Sequence, residues 1–583
     1  MTTWDVSRRI ATGRGNGAAS HCLGGAVEDR AEERGPQASP EGRAPSRVVR
    51  RGLGLGGTTA GLAFFCASLS PSLLPRSWIL QGVVGGVAAI LGYGLGCMVA
   101  VALRRLGLVP SGRARAVAWR LVITAGAVIC ASVLWFSADW QREVRATMGM
   151  DTRIAWFQPL IAILAAATFA VLLGVARSIR LGTRKLIGLL GRFIPPLVAQ
   201  VAGVVVVVLL INVFANDVLF AGLVEVVNTT SSVANRATEP GVEPPRSPEL
   251  SGGPGSLVPW GTLGRMGRDF VGRATTVAEL KAFTGGEAVQ PIRVYAGLES
   301  ASSYREQARL AVRELRRTGG FQREALALMG TTGTGWVDEK AAAALEYMYA
   351  GDTALVAMQY SYLPSWLSFL LDRSKAARAS RALLDAVRAE LARMREEERP
   401  RLLVFGESLG SYGMEAAFGG LDRMVVWTDG VLLAGPPNAN PIWSELVTHR
   451  DPGTPMWRPV YRGGERVRFG QYPADLDGPP VDVAYLQNAS DPVVWWRPDL
   501  VWRKPEWLQE PRGPDVAPAM RWYPVVTFWQ VVVDLLFAND VPPGHGHRYG
   551  VNVADGWAAV AAPDGWTEAD TARLRKVLAA IPA

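Results

Sequence analysis

Apolar residues are arranged in two ways along this chain. Between residues 53 and 215 they form long, nearly unbroken runs, at 53–70, 79–103, 116–136, 155–176 and 193–215, each near the ~20 residues that span a bilayer core. The last contains VAGVVVVVLLINVF, apolar on every side of a helix, which a helix in a soluble core rarely is. After residue 290 the runs shorten. PIRVYAGL, EALALMG, TALVAMQYS and LLVF read as strands, followed in turn by helices over 302–317, Asp338 to Tyr349, 374–396 and the stretch after Ser408. MVVWTDGVLLAG and VDVAYLQNAS read as later strands. Repeated strand-then-helix units with apolar strands predict a mostly parallel sheet flanked by helices. The predicted fold is an N-terminal all-α transmembrane bundle of about five helices followed by an α/β domain.

Pro, Ser and Gly crowd the stretch NTTSSVANRATEPGVEPPRSPELSGGPGSLVPW, residues 228–260, which reads as a linker. The chain therefore divides into a tail over 1–45, predicted disordered, a transmembrane domain over 46–220, a linker over 221–260 and a catalytic domain over 261–583. Arginine orients the bundle. Arg104, Arg105, Arg113, Arg115 and Arg120 lie between the second and third runs, and Arg177, Arg180, Arg184, Lys185 and Arg192 between the fourth and fifth. In the alternate loops stand Arg76 alone, and Arg142, Arg145 and Arg153 balanced by Asp139, Glu143 and Asp151. The positive-inside rule then predicts a multi-pass cell-membrane protein with a cytoplasmic N-terminus and an exoplasmic α/β domain.

Composition supports the membrane portion: 49% of the 583 residues are hydrophobic and the mean hydropathy is +0.13. A net charge of +9 would suggest nucleic acid if the cations shared one folded patch, but many flank the apolar runs, so no nucleic-acid partner is predicted. The four cysteines, Cys22, Cys66, Cys97 and Cys130, show no zinc-binding spacing, and neither a metal nor an organic cofactor is called for.

The candidate chemistry centres on Ser408, within Gly406-Glu407-Ser408-Leu409-Gly410. In G-x-S-x-G the glycines allow a sharp turn from strand to helix that exposes the serine hydroxyl at the carboxyl end of a sheet, and here a predicted strand and helix flank the motif. A serine needs a histidine base and a carboxylate to orient it. His21 is in the tail and His449 lies in the loop-like THRDPGTP, which leaves His545 and His547 in PPGHGHRYG. His547 is preferred because Tyr549 follows it closely; His545 is kept as the alternative. Asp491, after the strand VDVAYLQNAS, completes the chain order Ser, Asp, His, although an aspartate before proline is also an ordinary turn residue. Donors for the oxyanion are expected from the N–H of Leu409 and from the turn MGTTGTGW, at Thr332 or Gly333. The stretch 427–529 holds nine tryptophans, of which Trp495 and Trp496, beside Asp491, are the candidate substrate-binding pair.

GESLGSYG, QNASDPVVWW, GTTGTGWVDEKAAAALEYMYAGDTALVAMQYSYLPSW and PPGHGHRY together resemble the α/β-hydrolase family of actinobacterial membrane proteins that carry an N-terminal multi-span domain, over most of residues 50–580. The resemblance implies an α/β-hydrolase domain with a serine hydrolase mechanism at Ser408, Asp491 and one histidine of GHGH. Residues 436–480 are expected to form a small irregular lid. The function expected is a membrane-anchored serine esterase, lipase-like, whose partners are membrane lipids and an ester of a lipid or cell-envelope component. Two alternatives stand beside it: an acyltransferase using the same triad, and a transporter or scaffold bearing a silent hydrolase domain.

Overall fold

The computed structural model describes residues 52–108, 112–213 and 221–582. The tail over 1–45, with His21 and Cys22, lies outside the described residues. Helices α1 (Leu55–Ser68), α2 (Trp78–Arg105), α3 (Gly112–Thr147), α4 (Gln158–Leu190) and α5 (Pro196–Val213) cover the five apolar runs. Of these, α2, α3 and α4 are long and apolar enough to cross a membrane, while α1 and the apolar part of α5 are shorter. The three long helices are compatible with membrane insertion, and Leu121, Ile123, Ile163 and Val171 face outward from them. Helices α1 and α2 approach so closely that a Cβ on Gly96 would lie 2.3 Å from the Gly56 carbonyl oxygen, which only a glycine allows.

The α/β domain is built on seven parallel strands in the order β1-β3-β2-β4-β5-β7-β6. They are β1 (Ile292–Ala296), β2 (Ala325–Gly330), β3 (Thr353–Met358), β4 (Arg401–Glu407), β5 (Gly430–Ala434), β6 (Val467–Gly470) and β7 (Val483–Leu486). Nearly every strand residue is buried, as expected for a parallel sheet covered on both faces. Helices α6 (Ala221–Arg236), α7 (Gly264–Gly272) and α8 (Val277–Thr284) precede the sheet. One face packs on α9 (Tyr304–Thr318), α12 (Arg373–Leu391) and α13 (Leu409–Phe418), and the other on α10 (Glu339–Met348), α19 (Val553–Ala561) and α20 (Glu568–Ala580). Shorter helices join these elements: α11 (Ser365–Leu371), α14 (Leu421–Trp427), α15 (Pro441–Thr448), α16 (Pro473–Leu476), α17 (Pro492–Trp495) and α18 (Val526–Leu536). In mid-β1 the fully buried Arg293 is matched by the fully buried Glu346 of α10, which it meets at 2.6 and 2.7 Å, so neither charge is stranded.

Several sequence expectations are corrected. MVVWTDGVLLAG is not one strand: its first half is α14, with Met424 buried and Val426 exposed, and only Gly430–Ala434 joins the sheet. The stretch 436–480 is not wholly irregular, because it contains β6 at the edge of the sheet; four residues are too short to announce a strand by alternation. The long helix expected over 374–396 ends at Leu391. The Pro- and Gly-rich segment before the sheet is packed rather than free. Val258 is fully buried and the Ser251 N–H donates to the Arg293 carbonyl at 3.0 Å.

Candidate active site

Ser408 sits at the turn from β4 into α13 with φ 54° and ψ −124°, a conformation that costs a non-glycine residue and is held here by its surroundings. Its N–H donates to the Ala434 carbonyl of β5 at 2.9 Å, and its own carbonyl accepts the Ser411 hydroxyl at 2.6 Å. The flanking glycines are required by contact. A Cβ on Gly406 would lie 2.7 Å from the backbone of Gly410 and Ser411, and one on Gly410 would lie 2.3 Å from the Gly330 carbonyl oxygen. Gly406 thus lets the turn fold back on the start of α13, and Gly410 lets it close against β2.

Asp491 follows β7 and caps α17, with one carboxylate oxygen accepting the Val493 N–H at 2.8 Å. This aspartate is thus a turn residue that also faces His547. Its other oxygen accepts from His547 Nδ1 at 2.7 Å and from the Tyr549 hydroxyl at 2.6 Å. His547 Nε2, the ring nitrogen not engaged by Asp491, is buried with no hydrogen-bond partner among the described residues. Gly435, after β5, leaves room for the ring: a Cβ there would lie 2.4 Å from His547 Cε1. His545 is turned elsewhere. Its Nδ1 lies 3.0 Å from Asp515, whose same oxygen accepts the Ser490 hydroxyl at 2.5 Å.

The other sequence candidates divide. Leu409 is the first residue of α13, where the N–H has no intrahelical acceptor and is available as a donor. Thr332 is corrected: its N–H is already given to the Trp336 carbonyl at 3.0 Å, inside its own turn. Gly333 is on the same turn, and a Cβ there would lie 2.4 Å from the Leu363 carbonyl oxygen and from Ser368 Oγ. Trp495 is also corrected from a substrate-binding to a core position. It is 1% exposed, packs against Trp443 and Trp507, and donates its indole N–H to the Ala489 carbonyl at 2.7 Å. Trp496 is only partly buried and stands between Phe369 of α11 and Phe528 of α18. His449 is exposed, with Nδ1 at 3.0 Å from the Glu445 carbonyl one turn earlier, and takes no part.

Sequence reasoning missed the buried carboxylates around the turn. Glu407 is buried and hydrogen-bonded to Asp338, the N-cap of α10; burial, and then the nearby Asp338, push its carboxyl well above the ordinary range. Burial pushes the Asp338 carboxyl up as well. Glu415 of α13 gathers four donors, from the Asn440 side chain, the N–H groups of Ile442 and Trp443 and the Tyr485 hydroxyl, and so fixes the chain after β5. Tyr549 was noted only as an aromatic neighbour, whereas it is a second donor to Asp491, kept protonated by burial and by that carboxylate. None of these has a local spacing signal, because each partner comes from a different loop.

Glu407 gives a pH prediction. A carboxyl whose folded pKa is raised contributes stability fully below the unfolded value near 4.5, and this contribution is lost as pH rises toward the folded value. Glu407→Gln has no proton to lose. Its melting temperature is expected to fall less than that of the wild type between about pH 5 and pH 9. Parallel melting curves for the two proteins across that range, followed by intrinsic fluorescence, would refute the upward shift of Glu407.

Comparison with known families gives two matches along the chain. Residues 292–574 match the profile described as the alpha/beta-hydrolase family, and residues 69–274 match the one described as the N-terminus of an alpha/beta-hydrolase family. No curated protein and no solved structure matches the chain.

Proposed function

The chain belongs to the alpha/beta-hydrolase family, and from that premise we propose that it is a membrane-anchored serine hydrolase acting on an ester of a lipid or cell-envelope component. The observations that carry the reading are a strained, elbow-borne Ser408 and a His547 whose Nδ1 is held by Asp491 and whose Nε2 has no hydrogen-bond partner among the described residues. In this reading Ser408 Oγ attacks the acyl carbonyl while His547 Nε2 takes its proton. The Leu409 N–H receives the developing oxyanion. Collapse expels the alcohol, which takes the proton back from His547, and water then attacks the acyl-enzyme by the same base to release the acid. Asp491 stays ionised and keeps the imidazole in the tautomer that the first step needs.

The packing of the helices supports an exoplasmic placement. Leu73 and Leu74, between α1 and α2, and Val144 and Met148, at the end of α3, belong to the same apolar cluster as the sheet. The hydrolase domain thus meets the helix ends whose loops are poor in net positive charge. The arginine-rich loops lie at the other ends, where the positive-inside rule places the cytoplasm.

Turnover tests the proposal. Full-length protein in lipid nanodiscs is expected to hydrolyse carboxylic esters of long-chain acids with release of free acid, and the products are read by mass spectrometry with and without a glycerol acceptor. Acyl transfer to glycerol in place of free acid would assign the acyltransferase reaction instead. No acyl product of either kind from well-folded protein would count against the triad.

A further inference from the structure

Residues 69–77 link α1 to α2 and enter the hydrolase domain. Leu73 and Leu74 are buried to 0% and 1% exposure in the cluster that holds Val404 of β4 and Leu433 of β5. Polar contacts hold the same loop. Asp534, buried in α18, accepts from the Ser72 hydroxyl at 3.0 Å, the Leu73 N–H at 3.1 Å and Arg76 Nε at 3.2 Å. Gln530, one turn earlier, donates its side-chain amide to the carbonyls of Ser68 and Ser70. A buried pair such as Arg76 and Asp534 depends on this matched geometry, because neither charge has water to fall back on.

From Asp534 the chain runs directly to the histidine loop. The Phe537 N–H donates to the Asp534 carbonyl at 3.1 Å, and the Ala538 carbonyl accepts the His547 N–H at 2.8 Å. Gly546 is wedged there: a Cβ on it would lie 2.6 Å from the Ala538 carbonyl oxygen, 2.6 Å from Val541 and 3.3 Å from Leu74 Cδ2. The loop that carries Asp491 holds Gly546 as well. The Gly546 N–H donates to the Ser490 hydroxyl at 2.8 Å and its carbonyl accepts the Asn488 amide at 2.9 Å. The residue before His547 is thus held by the Asp491 loop and packed against the loop between two membrane-region helices.

We propose that the α1–α2 loop is part of the active-site support, with Leu74 and Arg76 as positioning residues that set His547 against Asp491 and Ser408. The inference rests on the serine-hydrolase reading. It gives the N-terminal helices a part in the chemistry, beyond anchoring. Leu74 acts by direct packing on the histidine loop, and Arg76 acts through Asp534 and the segment that ends at Ala538. A displacement of about 1 Å at a catalytic group is enough to cost roughly 10²-fold in rate.

The experiment is the rate at which a fluorophosphonate labels Ser408 in the full chain, in nanodiscs, between about pH 5 and pH 9. In that reaction Ser408 Oγ bonds to phosphorus, fluoride leaves, and His547 takes the hydroxyl proton, so the rate reads the placement of the base. Leu74→Ala is expected to slow labelling about 10- to 100-fold and to move the acidic limb of the pH profile. Leu74→Met, which keeps the volume, is expected to stay within about threefold of the wild type. Arg76→Lys keeps the charge but loses the Nε contact, and it is expected to slow labelling in the same direction. Met148→Ala loosens the same interface away from Gly546 and serves as the control: a lowered melting temperature with a near wild-type labelling rate. If Leu74→Ala does not fold, Arg76→Lys decides the question. The proposal is overturned if the folded variants label at the wild-type rate, or are slowed no more than Met148→Ala. An unlabelled wild type would defeat the serine-hydrolase reading and this one together, whereas a labelled wild type with indifferent variants defeats the positioning role alone.

Discussion

Ser408→Ala is expected to abolish covalent labelling by fluorophosphonate and to lower ester turnover by roughly 10⁶-fold, the scale seen when the nucleophile of a Ser-His-Asp triad is removed and only oxyanion stabilisation and binding remain. The variant is expected to fold. What holds the turn is backbone and glycine: the Ser408 N–H on the Ala434 carbonyl, and the contacts that exclude a side chain at Gly406 and Gly410. The change removes one hydroxyl from a half-buried residue, so the melting temperature should stay within a few degrees of the wild type. Labelling is read in the gel after exposure to the probe, with a membrane-impermeant form added to intact cells to report the side of the membrane. Labelling of the wild type from outside, lost in Ser408→Ala, supports the nucleophile and the exoplasmic placement at once. Persistent labelling of Ser408→Ala would move the nucleophile elsewhere, and labelling only after the cells are broken would reverse the orientation.

The two histidines should separate by several orders of magnitude. His547→Ala removes the base and is expected to reduce turnover by about 10⁴- to 10⁶-fold, whereas His545→Ala should leave it within about tenfold. The difference rests on partners. His547 Nδ1 is held by Asp491 and its Nε2 is unpartnered, while His545 Nδ1 faces Asp515, a carboxylate that also accepts from Ser490. His545 thus braces the loop that carries Asp491, and its loss should appear mainly as a lower melting temperature. Initial rates on a short-chain ester, with folding checked by circular dichroism, measure both. Equal losses from the two substitutions, or a larger loss from His545→Ala, would reverse the assignment.

How far each residue was legible depends on how local its role is. Ser408 was readable because the elbow is a local object: two glycines within two residues of the serine, between an apolar strand and a helix. Leu409 followed from it, as the next N–H along. Choosing between His545 and His547 was harder, because both stand in one glycine-rich loop and only the approach of Asp491 and Asp515 from other parts of the chain distinguishes them. Thr332 was misjudged because its amide closes a turn onto Trp336, and Trp495 because its ring packs inward on Trp443 and Trp507. Glu407, Glu415 and Asp534 went unnoticed. A buried carboxylate looks like any other acidic residue until its donors are brought to it.

By itself, the amino-acid sequence determined the apolar runs of the N-terminal region, the alternation that builds a parallel sheet, and the serine turn between β4 and α13. These are set by periodicity and by glycine, which act over a few residues. Only the tertiary structure decided which histidine meets Asp491, which tryptophan belongs to the core, and that the α1–α2 loop packs under Gly546. Those outcomes depend on contacts between residues up to several hundred positions apart, such as Arg76 with Asp534. Packing decides them, and no local spacing encodes it.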